Sequence, residues 1–163
     1  MKTKYVLILF SLILSVPVGC ANETEVSDEV SGKYEETQEN IFKKPPTVFI
    51  SSGVEQVRGV LGPYSWSYCC NNGETIGIEA SSDAPPNLVQ NNEPFQVTSA
   101  TPISIEFETA PIKYQVKTWN ENNKVTGTYE EIDTSNHKGR TVFEILVTWE
   151  QGNASYSFLL DIE

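Results

Sequence analysis

The chain has 163 residues, room for one domain and little else, and carries 11 lysines and arginines against 22 aspartates and glutamates, a net of -11. So acidic a surface repels phosphate backbones and anionic headgroups, which disfavours nucleic acid as a partner and favours cationic ones, more weakly as salt rises. With 1 histidine and 3 cysteines there is little from which to build a four-ligand zinc site, and no cofactor or metal is expected.

Lys2 and Lys4 precede an apolar run from Tyr5 to Leu14, interrupted only by Ser11. The run is about half of the ~20 residues that span a bilayer as a helix, so it reads as the core of an export signal. It leads into Val16-Pro17-Val18-Gly19-Cys20, whose last three residues resemble the end of a bacterial lipobox, with Pro17 where that family prefers Leu, Val or Ile. The resemblance implies that residues 1–19 are removed and that Cys20 receives a diacylglycerol. Two acyl chains satisfy the two-signal requirement for stable anchoring, here on the outer face of a Gram-positive cell membrane. The alternative is an ordinary secretory signal with an incidental cysteine.

Residues 20–46 form a lipidated acidic linker in this reading. Glu23, Glu25, Asp28, Glu29, Glu35, Glu36 and Glu39 stand against Lys33, and the few apolar residues make no face, so no packed structure is expected before Lys43-Lys44-Pro45-Pro46.

From Thr47 to Glu163 the apolar period is two, and no helix-length 3.6 period occurs. Tyr64, Trp66, Tyr68 and Cys70 alternate with small polar residues; Ile76, Ile78 and Ala80 follow. Ile103, Ile105 and Phe107 form another set, then Ile112, Tyr114 and Val116 opposite Lys113, Gln115 and Lys117. Val125 to Ile132 is a weaker candidate. Phe143 to Trp149 and Tyr156 to Ile162 flank a turn at Gly152-Asn153. Seven to nine such strands predict an all-β, antiparallel two-sheet sandwich of immunoglobulin-like type over 47–163, with a barrel as the other solution. A two-residue turn at Gly152-Asn153 predicts the pairs Trp149–Tyr156, Val147–Phe158, Ile145–Leu160 and Phe143–Ile162, and sets Glu144 against Asp161.

Gly62-Pro63-Tyr64-Ser65-Trp66, Ser81 to Leu88, and Pro111-Ile112 through Trp119 resemble a pattern in small Bacillus-type extracytoplasmic lipoproteins. The likeness covers roughly residues 58–163. It implies a secreted β-sandwich of unassigned function and lends no catalytic residue.

Cys69 and Cys70 are adjacent. Neighbours on a strand point to opposite faces, so one reading packs Cys70 inside and leaves Cys69 a free thiol outside. The other is a vicinal disulfide at the Asn71-Asn72-Gly73 turn, permitted by an oxidising exterior. His137 sits among turn residues with nothing nearby to orient it as a base, and reads as an exposed loop histidine. Carboxylates cluster at Glu106/Glu108, Glu130/Glu131/Asp133 and Glu144/Asp161; glycosidase chemistry needs two across a cleft, one with a raised pKa. Trp119, with Tyr64 and Trp66, is the candidate binding surface, since an aromatic on a polar strand face is a plausible anchor. These features predict a membrane-anchored, non-catalytic binding or adaptor module facing a protein or cell-wall partner. One alternative is an inhibitor or immunity-type lipoprotein presenting Tyr64–Gly73 and Ser81–Leu88 to a protease or toxin. The other is a carboxylate-dependent surface hydrolase.

Overall fold

The computed structural model describes residues 43–70 and 72–163, so the signal segment, Cys20 and the linker up to residue 42 lie outside the described residues. Within that span the period-two segments form strands. β1 (Val48–Ser51), β2 (Gln56–Arg58) and β6 (Ser104–Phe107) make a small sheet in the order β2-β1-β6. β3 (Val60–Cys69), β4 (Thr75–Ala80), β7 (Lys113–Trp119), β8 (Val125–Tyr129), β9 (Gly139–Trp149) and β10 (Gly152–Ile162) make a large one, in the order β4-β3-β10-β9-β7-β8. β5 (Phe95–Val97) joins it by running parallel to Leu160–Ile162 of β10, the one parallel pairing in an otherwise antiparallel sheet. The two sheets pack together as an all-β sandwich.

The core is built as alternation requires. Phe143, Ile145, Val147 and Trp149 of β9 share one buried cluster with Tyr156, Phe158, Leu160 and Ile162 of β10, Trp66 of β3, and Val48 and Ile50 of β1. Each such side chain contributes on the order of 1.5–3 kcal/mol on burial. The Trp66 and Trp149 rings meet edge to face at 5.7 Å, and Trp149 Nε1 donates to the Thr109 carbonyl at 2.9 Å.

The β9–β10 register corrects the expected one. The two-residue turn is Glu150-Gln151, so Trp149 pairs with Gly152, Val147 with Ala154, Ile145 with Tyr156 and Phe143 with Phe158. The turn moves by two residues and each pairing by four, an even shift that keeps every side chain on its face, so burial alone does not distinguish the two registers. What decides is Gly152. A Cβ there would overlap the Ser65 carbonyl oxygen, so this glycine is used for close approach to β3, where it pairs with Trp66, and not for the turn. Ser67 N reaches past it to the Gln151 carbonyl at 2.7 Å. The expected Glu144–Asp161 juxtaposition is also absent, since Glu144 pairs with Ser157 and Asp161 with Arg140.

The second face of β10, read as open to solvent, is covered. Ser155, Ser157 and Leu159 are all buried. A short helix, α1 (Pro85–Val89), lies over β10, β9 and β3. It falls in a stretch expected to be turn, and its five residues are too few to display a period. Pro at its first positions starts it, with no side-chain cap at Ala84. Gly62 makes room for it, since a Cβ there would meet Leu88 Cδ1 at 3.4 Å and Ser155 Oγ at 3.3 Å.

The two sheets differ in width. At about 4.8 Å per strand the large sheet spans roughly 24 Å and the small one roughly 10 Å. Its β6 lies over β7, where the Phe107 and Tyr114 rings meet at 5.2 Å. The inner face therefore overhangs beyond β6, leaving Ile112 64%, Tyr114 40% and Tyr129 38% exposed. The opposite edge overhangs too, leaving Ile76 of β4 39% exposed.

Candidate functional site

The aromatic surface expected from the sequence is taken up in structure. Trp66 is 1% exposed and belongs to the core, because its strand face is the one that meets β1. Trp119 lies on the polar face of β7 as expected, but half-buried, and its Nε1 donates to Glu144 Oε2 at 2.9 Å. Glu144 also accepts from Ser155 Oγ at 2.6 Å, so this buried carboxylate ties β7, β9 and β10 together. Tyr64 is half-buried beside an open depression of about 490 Å³ whose lining mixes Pro63, Leu146 and Ala154 with Ser65, Glu79 and Ser155. These three side chains do not converge on one site.

Cys69 and Cys70 are both free thiols, Cys69 exposed and Cys70 half-buried. Cys70 leaves the strand to close the hairpin, its N–H donating to the Glu74 carbonyl at 2.7 Å. His137 is half-buried and wedged edge-on between Tyr129, at 6.0 Å, and Phe143, at 5.4 Å, which corrects the expectation of an exposed loop histidine. Of the segments expected to face a protease or toxin, Tyr64–Cys69 is strand, while Pro85 to Leu88 belong to α1, with Pro85 buried.

Of the carboxylate sets, Glu144 and Asp161 are separated by the strand register. Glu106 accepts from Gln56 Nε2 at 2.6 Å. Glu108 accepts from the Thr47 backbone N–H at 2.6 Å, and that bond holds its carboxyl below the ordinary range. Asp133 is held low by the Ser135 hydroxyl and backbone N–H, at 2.6 and 2.9 Å. A general acid needs the opposite shift. Among the described residues no three His, Cys, Asp or Glu side chains converge as a metal site.

What the fold does assemble is a cleft on the overhanging inner face. Two adjoining lobes, of about 470 and 510 Å³, share Tyr114 and Glu130. Phe107, Pro111 and Ile112 line the first, Tyr129, Glu131 and Asp133 the second. Tyr129 lies across Gly127, where any Cβ would strike its ring. The acidic wall is held in place. Ile132 is buried in the core, Thr134 Oγ1 donates to the carbonyls of Ser99 and Thr101 at 3.3 and 3.4 Å, and Asp133 caps the turn that follows. Glu130 and Glu131 themselves make no hydrogen bond or ion pair among the described residues.

Sequence reasoning missed Tyr114 and Tyr129 because both sit on the inward face of their strands. Period two marks them as core, and only the narrow second sheet leaves them outside it. The acidic triplet Glu130/Glu131/Asp133 was the available signal, without the aromatics that complete it. Compared with known proteins, the chain matches no family model, no curated sequence and no solved structure.

Proposed function

We propose that this chain is a non-catalytic binding module, held at the outer membrane surface by a lipid on Cys20, that takes its partner in the Tyr114–Tyr129 cleft. The observation that carries the reading is the cleft itself: three exposed apolar or aromatic side chains, Ile112, Tyr114 and Tyr129, grouped at one edge of a sheet face whose centre is core. Large side chains left uncovered together, with carboxylates at their rim, are the usual make-up of a protein docking site. A wall pinned by Ile132 and Thr134 supports this, because a preformed surface loses little entropy on binding.

The test is site-specific photo-crosslinking in cells displaying the full chain. A photoreactive residue at Ile112 is expected to yield a discrete adduct that the same residue at Ser82, exposed on the other side of the large sheet, does not. Identical adducts from both positions, or none from Ile112, would overturn the assignment of the cleft.

A further inference from the structure

We infer that the occupant of the cleft is a lysine- or arginine-bearing peptide segment, its cation seated over Tyr114 and Tyr129 and against the carboxylates of Glu130 and Glu131. The inference rests on the binding reading above and adds the chemistry of the partner.

Charge selects the occupant. The charged groups lining the two lobes are Lys113, Glu130, Glu131 and Asp133, and the cation lies in the Ile112 lobe only. Asp133 is committed to its turn, accepting from Ser135 and Asn136. Glu130 and Glu131 are uncommitted, two neighbouring like charges that a cation would relieve. Beside them stand Tyr129 and Tyr114, 38% and 40% exposed, aromatic rings of the kind that attract a cation within about 6 Å of the ring centre. Arg or Lys would also lay its aliphatic stem along Ile112 and Phe107.

The other candidates fit less well. The chain's own linker carries Glu23, Glu25, Asp28, Glu29, Glu35, Glu36 and Glu39 against Lys33, so the acidic cleft repels it. A second copy, at net -11, is repelled likewise. A neutral glycan would stack on the tyrosines but would leave both carboxylates without a partner.

Titration of the full chain with an octalysine peptide, beside a neutral Gly-Ser octamer, at about 0.15 M salt tests this. The cleft variant E130Q/E131Q is compared with E79Q/E93Q, which removes the same charge at exposed positions outside the cleft. Octalysine is expected to bind more tightly than the neutral peptide, with E130Q/E131Q weakening it about tenfold, E79Q/E93Q less than about twofold, and Tyr114→Ala also weakening it. Equal losses from the two double variants would reduce the effect to overall acidity and overturn the proposal. Octalysine binding no better than the Gly-Ser peptide would do the same, as would a neutral chitooligosaccharide binding independently of E130Q/E131Q. If octalysine fails while crosslinking at Ile112 persists, the cationic partner is wrong and the binding module stands; if the Ile112 adduct is also lost, both fall. All the substituted positions are exposed, and unchanged thermal unfolding identifies the variants that remain folded.

Discussion

Tyr156 ties the start of the ordered body to the middle of its large sheet: its phenol donates to the Pro46 carbonyl, 110 positions away in the chain. The ring packs edge-on to Trp149 at 6.3 Å, so the hydroxyl emerges from the core with one partner within reach. Tyr156→Phe keeps the packing and leaves that carbonyl unpaired, which costs roughly 1–2 kcal/mol. Burial, with the nearby Glu108 carboxylate, pushes the phenol's pKa well above its ordinary value. The folded state therefore favours the neutral phenol, a contribution fully present below the unfolded pKa of about 10 and lost as pH rises beyond it. Urea unfolding at pH 7 and at pH 11 checks both points. The variant should be the weaker at pH 7, and the gap should narrow at pH 11. A gap that is constant or widens with pH would contradict the assignment.

At the level of elements, the β9–β10 hairpin turns on one glycine. Gly152→Ala must separate β10 from the Ser65 carbonyl, breaking the β3 pairing at its first register position, at about 2–4 kcal/mol. Gly139→Ala, where the glycine also holds a positive φ but nothing lies within 4 Å of the new methyl, should change thermal unfolding by less. Equal effects would mean that backbone freedom, and not the close approach, is what Gly152 supplies. The hairpin also marks how far sequence reasoning reaches. Alternation placed Phe143, Ile145, Val147, Tyr156 and Phe158 on the core face, and all are buried. It was silent on register at steps of two, because an apolar face slid by two residues remains apolar. It was equally silent on which apolar faces find a cover. Val116 and Tyr114 are neighbours on one face of β7, yet one is fully buried and the other 40% exposed, a difference set by where β6 ends. Ser155 and Ser157 show the converse, polar residues of an expected solvent face sealed under a segment too short to announce a helix.

For the whole molecule, the sandwich is one half of a proposal whose other half is the anchor. A lipid at Cys20 would hold the sandwich near the membrane, close enough to meet partners displayed there. Cells fed an alkyne-tagged fatty acid should label the wild-type chain and not a Cys20→Ser variant, and that variant should leave the membrane fraction. Retention as firm as wild type would sink the lipobox reading. The sheet order carries a consequence of a different kind, in time. β10 comes last in the strand order yet lies in the middle of the large sheet, bonded to β3, β5 and β9. A chain emerging N-terminus first from a ribosome or a membrane pore thus has β3 made and unpaired on that side until residues 152–157 arrive. Closure of so long a loop is slow, and although β3–β4 and β7–β8–β9 can pair earlier, the two halves of the sheet cannot join until β10 is made. The domain should complete its fold in a late step, its two halves staying unjoined until the last strand has passed through.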